Sequence, residues 1–582
     1  MAGKTVTNVI IAVIFTFFLH FTVCSSSRKC SFAPETGALQ CSIPVLGNQN
    51  SSLDFSASSL TQASELLVEC TQDENAGTGK PVFSSLNSNQ FGHLPGLGKL
   101  KIHECRLRSV EPHAFSGLSG LDELVLESGG EGWGEDILSI AQQAFQGLDN
   151  LHSLKVSGVY LWTVPAGVFC SLPNLLKLNL TNNYLQEVPD LGILAETDDE
   201  EIYQTKYGFQ NGGSSSCLHS LRVLDLSNNR MTQVPDYGVA RLVNLQALNL
   251  SSNQIDRLEE RAFFGLSCLN VLSLGGNKLA AIPPLLLSHT PDLRELYLEN
   301  NSLTSLPRGF FQEMEHLLLL NLSRNTLGSD WLKRETFAGL VRLVALDLSF
   351  NHLQTLDSSH LQALTSLQIL NLSNNRLKVL ADGSLRVPNL HILLLSSNQL
   401  EALSSNSLAG LPVLSSISLD QNKLKELPDN LFLNTSSIQD LNLSQNKLTH
   451  FPEQVSSLPL LRNLDLGENL IKDLNTGTEP VLSSLYGLRL ARNQLKSLNQ
   501  AFFSRIPGVE ILNLSDNQIQ EIEQNTFVHL GKLSALRLDQ NQIPDINGLL
   551  TAQAGLRWLN VSSNQLHWFD FAFIPKNLGE QF

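Results

Sequence analysis

The apolar positions of this chain recur in one phrase, LxxLxLxxNxL. Residues 221–255 contain it twice, as Leu221, Leu224, Leu226, Asn229 and Met231, and twenty-four residues later as Leu245, Leu248, Leu250, Asn253 and Ile255. A fixed period of this size predicts a solenoid. Leu224 and Leu226 alternate with polar neighbours, the period of a short strand with one buried face, and the Asn that follows turns the chain. The remainder of each unit must return to the start of the next strand. Stacked strands then pair in parallel, and a buried Asn amide satisfies backbone groups of adjacent turns that would otherwise lack partners.

This is the wording of a leucine-rich repeat, and the expected fold is an α/β repeat solenoid. Its expected form is a horseshoe with a parallel β-sheet on the concave face and short helical or irregular segments on the convex face. Repeats begin at Leu97, Leu121, Leu151, Leu175, Leu221, Leu245, Leu269, Leu293, Leu317, Leu343, Leu367, Leu390, Leu414, Ile438, Leu461, Leu485, Val509, Leu533 and Leu556. That makes nineteen units across residues 97–577, sixteen with Asn at the turn, and insertions near 127–136 and 190–216. The return path carries Phe115, Phe169, Phe263, Phe337 and Phe527 at a recurring place, which predicts an aromatic spine under the convex side. One repeat buries too little apolar surface to offset the entropy of ordering it, so stability is collective.

The two ends depart from the period. Residues 1–25 combine Lys4, the apolar run Val9–Val23 and the small residues after it, the pattern of a secretory signal peptide or, alternatively, a retained anchor. No later stretch approaches the roughly 18 consecutive apolar residues that span a bilayer. Residues 26–96 lack the full phrase but hold Cys30, Cys41 and Cys70, and read as a cysteine-stapled cap over the first repeat. The simplest pairing joins Cys30 to Cys41 and Cys70 to Cys105, although Cys105 stands in the Asn slot, where a free buried thiol is the other reading. Cys170 and Cys217 bracket the second insertion, and a disulfide there would tie its base. Cys268 is left over, either a buried thiol or an intermolecular bridge. At the other end, residues 578–582 start a further repeat, so the chain reads as a fragment of a longer receptor or as a short product.

Net charge is −16 and the pI is near 5.3, which argues against nucleic acid and anionic membranes as partners. The fourteen histidines show no metal-ligand spacing, no phosphate-loop or serine-nucleophile motif occurs, and carboxylates such as Asp225, Asp347 and Asp465 recur with the repeat. The reading is therefore no enzyme, no cofactor and no metal. A sheet of nineteen strands at roughly 4.8 Å each offers on the order of 90 Å of concave face, which suits a protein ligand. Its exposed positions vary, with Tyr297, His391, Arg489 and Arg537 among them. N-glycosylation signals stand at Asn50, Asn179, Asn249, Asn300, Asn321, Asn371, Asn434, Asn442, Asn513 and Asn560. Seven of them, Asn179, Asn249, Asn321, Asn371, Asn442, Asn513 and Asn560, share one strand position that points to the concave side. If occupied they obstruct the sheet, and a ligand would use the units up to about residue 165 or a lateral edge. The other reading is that LNLS is ordinary repeat wording with patchy occupancy.

Several runs are more specific than the generic phrase: the cap cysteines Cys30 and Cys41, LLVEC ending at Cys70, KIHEC ending at Cys105, VFCSLPNLLKLNLTNN at 168–183, CLHSLRVLDLSNNRM at 217–231 and LRWLNVSSNQLHWFDFAFIPKNL at 556–578. Together they resemble the ectodomains of insect-type Toll receptors, the long Tolls above all. The resemblance implies a horseshoe ectodomain, cysteine-rich junctions, a membrane span and a cytoplasmic Toll/interleukin-receptor domain. It also implies Spätzle-type cystine-knot ligands, dimerisation with a like or different leucine-rich-repeat ectodomain, and roles in innate immunity, development or cell–cell contact. Here everything after the nineteenth repeat is missing, so attachment to the membrane would lie in a C-terminal part outside this chain. The expectation is a secreted or cell-surface, ligand-binding receptor ectodomain; the alternatives are a cell-adhesion or matrix repeat protein and a soluble decoy.

Overall fold

The structure is a computed structural model, and it describes residues 29–33, 36–43, 45–46, 63–70, 83–128, 137–189, 217–240, 242–357, 359–474 and 481–568. The signal segment, most of both insertions, Asn50 and residues 578–582 lie outside the described residues. The chain divides into two compact units, Met1–Leu293 and Arg294–Phe582. Each is a stack of in-register parallel strands with irregular returns.

In the first unit, Lys29–Ala33 runs antiparallel to Ala38–Ile43, with Cys30 opposite Cys41 and disulfide-bonded to it. Parallel pairing then proceeds through Glu65–Cys70, Lys99–His103, Glu123–Glu127 and Ser153–Ser157. It continues through Lys177–Asn179, Val223–Asp225, Ala247–Asn249 and Val271–Ser273. In the second unit the same pairing joins Glu295–Tyr297 to Leu319–Asn321, and the last strand, Trp558–Asn560, pairs with Ala535–Arg537. The phrase leucines line both cores: Leu221, Leu224, Leu226, Leu245, Leu248 and Leu250 are all at most 1% exposed.

The Asn slot decides how long each strand is. Asn253 accepts the Met231 N–H at 3.1 Å and donates to the carbonyls of Leu226 at 3.0 Å, Leu250 at 3.1 Å and Ser251 at 3.3 Å. The amide thus occupies carbonyls that a longer ladder would have used, and the strand ends after three residues, Ala247–Asn249. Where the slot holds Cys105 or Val159, that repeat supplies no amide of its own, although Asn183 of the next repeat accepts the Val159 N–H at 3.2 Å and donates to the Val156 carbonyl at 2.7 Å. The strands there run five residues, Lys99–His103 and Ser153–Ser157, and Ile102, Leu126 and Val156 pair across the sheet instead. Cys105 is bonded to Cys70, which ties the first repeat to the cap strand.

The turn after each short strand places one residue in the left-handed region, including Asn182, Asn228, Ser252, Asn300, Arg324 and Phe350 at φ between 53° and 56°. A non-glycine residue there is strained. Its N–H is satisfied in the next repeat, as when Asn228 donates to the Ser251 carbonyl at 3.0 Å, so stacking holds the turn.

Among the described residues the returns are mostly turns, with short 3-10 segments such as Val168–Ser171 and a four-residue α-helix, Gln500–Phe503. The aromatic spine is real but interrupted. Phe91, Phe115, Phe145 and Phe169 stack at centroid distances of 6.2, 6.0 and 5.8 Å. In the second unit Phe311 stacks on Phe337, and Phe503 meets Phe527 edge-on at 5.2 Å. Phe263 is buried. No described helix is long and apolar enough to cross a membrane.

Candidate protein-binding surface

The open face of the strands changes character along the first unit. On the long strands it is a mesh of charge. Lys99 meets Glu123 at 2.8 Å, and Glu127 meets Lys155 at 2.8 Å, Lys101 at 3.6 Å and the His103 ring at 3.9 Å. His152 meets Asp122 at 2.6 Å. The Lys155 hydrogen bond, with help from Lys101 and His103, holds the Glu127 carboxyl below the usual carboxylate range despite partial burial. The hydrogen bond and charge of Glu123 raise the Lys99 amine. The pairs are half-exposed, so they add little stability, but they fix a charged relief that a complementary protein can read.

On the short strands the same face carries the glycosylation signals. Asn179, Asn249, Asn442 and Asn513 each accept, at Oδ1, the backbone N–H of the Ser or Thr two residues on at 3.0–3.1 Å and its hydroxyl at 2.7–2.8 Å. Asn321, Asn371 and Asn560 accept the backbone N–H alone, at 3.1 Å. Asp225 makes the same two bonds to Ser227 at 3.0 and 2.7 Å, so the motif has a structural use as an Asx turn. These bonds use Oδ1 and leave Nδ2, the atom that would bear a glycan, outside them. Asn371 is the variation: its Nδ2 also donates to Asp347 at 3.0 Å. All seven are half-buried on the open face, whereas Asn300 and Asn434 are exposed in turns.

The second unit opens with an acidic stretch on the open face of its own strands. Tyr297 donates to Glu295 at 2.8 Å, and burial pushes its phenol up to about 12. Burial also raises the half-buried Glu299 carboxyl, aided by the charge of Asp347. Further on, Arg489 reaches Asp465 at 3.4 Å and Arg537 grips Asp539 with two bonds of 3.0 Å. His391 Nδ1 lies 2.9 Å from the Asn389 carbonyl. These four variable positions thus sit in separate local networks and are not gathered into one site.

A lateral cluster had no counterpart in the sequence reading. Tyr160, Tyr184 and Arg230 follow the Asn slot in three successive repeats and so form one column beside the strands. The Tyr160 and Tyr184 rings lie 5.2 Å apart, Trp162 meets Tyr184 edge-on at 5.8 Å, and the Arg230 guanidinium sits 3.7 Å from the Tyr184 centroid. Tryptophan, tyrosine and arginine held together at a surface are the residues that dominate protein interfaces. The signal was available as the repeated slot, Tyr, Tyr, Arg. Cys170 and Cys217 are joined below the second insertion, and Cys268 is a half-buried free thiol.

Comparison with known proteins agrees with this architecture. The leucine-rich-repeat family model matches residues 133–190, 219–279, 291–353, 331–377, 365–424, 412–471 and 483–543. The chain is 41% identical over 555 residues to Toll-like receptor 7 of Drosophila melanogaster, covering 95% of this chain and 37% of that protein. It therefore spans little more than a third of the relative's length. Among solved structures it resembles the Drosophila Toll–Spätzle complex in its glycosylated form, with a TM-score of 0.66 at 18% identity over 89% of this chain and 66% of that one. It also resembles a leucine-rich-repeat protein of Leptospira interrogans, with a TM-score of 0.52 at 27% identity over 71% of this chain and 91% of the other. The structural likenesses bear out the fold. The sequence likeness bears out the resemblance to Toll receptors.

Proposed function

This chain belongs to the leucine-rich-repeat family, and we propose that it is the ligand-binding part of a Toll-like receptor, taking an extracellular protein of the Spätzle-type cystine-knot class. The observation that carries the receptor reading is the identity to a Toll-like receptor along nearly the whole chain. The ligand class rests on the Toll relative solved with Spätzle. The place of binding rests on chemistry: strands Glu65–Cys70 to Ser153–Ser157 present charge and no glycosylation signal, while the short strands after them carry a signal at most every second turn. Glycans on those asparagines would obstruct the later face and leave the long strands and the Tyr160–Arg230 edge open. Receptor function in the full protein, through dimerisation and a membrane span, belongs to the same proposal.

Binding of a Spätzle-type protein to the glycosylated full chain, by surface plasmon resonance, tests it. The double variant Lys99→Glu/Lys101→Glu should weaken binding by about 10-fold or more, mostly in the off-rate. The control Lys423→Glu/Lys425→Glu should leave it unchanged. Equal loss in both variants would remove the assigned surface; no binding to any Spätzle-type protein, with cell aggregation driven by the chain itself, would replace the receptor reading with an adhesive one.

A further inference from the structure

The repeat beginning at Leu317 is 26 residues long against the usual 24. Its extra length forms the 3-10 turn Ser329–Trp331 on the return path. The turn is pinned at both ends. The Ser329 hydroxyl accepts the N–H groups of Gln354 at 2.8 Å and Thr355 at 2.9 Å and donates to the Thr355 carbonyl at 3.0 Å. The Thr336 hydroxyl accepts the Lys333 N–H at 2.8 Å and donates to the Trp331 carbonyl at 3.2 Å. Leu332 is 1% exposed, and Trp331 packs edge-on against Phe337 at 5.8 Å. None of this is needed to continue the repeat.

What the turn does is wall a cleft of about 440 Å³ against Leu306–Pro307–Arg308 of the preceding return, with Trp331, Lys333 and Arg334 on its own side. Arg308, Lys333 and Arg334 are exposed and make no ion pair among the described residues, and Glu335 is the one carboxylate on the lining. Three unpaired cations around a fixed tryptophan are out of keeping with a chain of net charge −16.

We propose that this cleft binds a sulfated saccharide of the glycosaminoglycan type. Guanidinium forks match the oxygens of a sulfate, and the ammonium of Lys333 supplies a second point of charge. Trp331 and Pro307 offer apolar walls for the face of a pyranose ring, and the cleft falls within the range of about 300–1,000 Å³ that small-ligand sites occupy. A nucleic-acid strand would need a basic groove tracking several nucleotides. Here the cations are confined to one cleft. The site shares no residue with the protein-binding surface of the first unit, so either assignment can fail without the other.

Titration of the full chain with a size-defined heparin tetrasaccharide tests the proposal. Binding should weaken about 10-fold or more between 50 and 300 mM salt, because the contacts are exposed charges. Arg308→Glu/Arg334→Glu should lower affinity at least about 10-fold at an unchanged melting temperature, and Trp331→Ala about 5-fold. Lys423→Glu/Lys425→Glu, the same charge change elsewhere, should have no effect. Because Trp331→Ala removes packing, the charge pair is the deciding variant. Equal loss in the control, retention of binding by a desulfated tetrasaccharide, tighter binding of a DNA oligonucleotide of equal charge, or no binding at low salt would each overturn it.

Discussion

The long strands between Glu65 and Ser157 and the short strands from Lys177 onward are built on the same leucine frame but solve the end of the strand differently. In the short strands a buried asparagine takes the carbonyls and returns the chain after three residues, often with an Asx turn on the open face. In the long strands Cys105 or Val159 stands in that slot and the backbone ladder itself continues, with the Cys70–Cys105 disulfide at the first of these turns and the Asn183 amide of the next repeat at the last. The difference teaches that one buried amide per turn sets both strand length and surface. Where it is present the face is narrow and patterned with Asn, Asp and Ser; where it is absent the strand is wide enough to carry two rows of charge.

The comparison breaks most visibly if the amide is removed from one turn. Asn253→Ala deletes four bonds and leaves buried backbone groups without partners, so unfolding in urea should show a loss of about 3–5 kcal/mol. A loss below about 1 kcal/mol would mean that the ladder does not set the turn. The corresponding cut among the long strands, Cys70→Ala/Cys105→Ala, should cost about 2–4 kcal/mol, with hydrogen exchange rising first in Glu65–His103.

Charge on the two faces sharpens the contrast with opposite signs. Glu127, about a quarter exposed, has a lowered folded pKa, so its contribution is present above the unfolded value near 4.5 and is lost as pH falls through the folded value. Glu127→Gln should therefore cost about 0.5–1 kcal/mol at pH 7, and the difference from the parent should vanish in acid. Glu299 has a raised folded pKa, so the contribution of its neutral form is full below the unfolded value near 4.5 and is lost as pH rises through the folded value. Glu299→Gln should stabilise the chain at pH 7, by about 0.5 kcal/mol. The smallest effect expected is for Asn249→Asp: Asp225 already makes the same turn, so stability should stay within about 0.5 kcal/mol while any glycan mass at that site disappears.

The fold was legible because buried positions repeat: Leu224, Leu248 and their equivalents face the same packing demand at every turn, and the period reports it. The pairing of Cys70 with Cys105 was only the simplest assignment, with a free buried thiol in the Asn slot as the alternative, and it is the parallel registration of the two strands that brings the cysteines together. Surface function was not legible, because a position facing solvent answers to a partner and not to the scaffold. Tyr160, Tyr184 and Arg230 occupy a slot filled elsewhere by Gln254 and Lys278, and only their adjacency in the stack makes them a cluster. Likewise the extra length around Trp331 counts as two residues in the sequence, and the fixed turn it forms depends on hydroxyls of Ser329 and Thr336 that no period announces.

The central claim is that the wide, charged strands hold the partner while the asparagine-laddered strands serve as scaffold. Hydrogen exchange of the glycosylated chain with and without a Spätzle-type protein measures this directly. The account predicts new protection in Glu65–Cys70, Lys99–His103, Glu123–Glu127 and Ser153–Ser157 and along the Tyr160–Tyr184 edge. Protection confined to strands between Glu295 and Asn560 would contradict it.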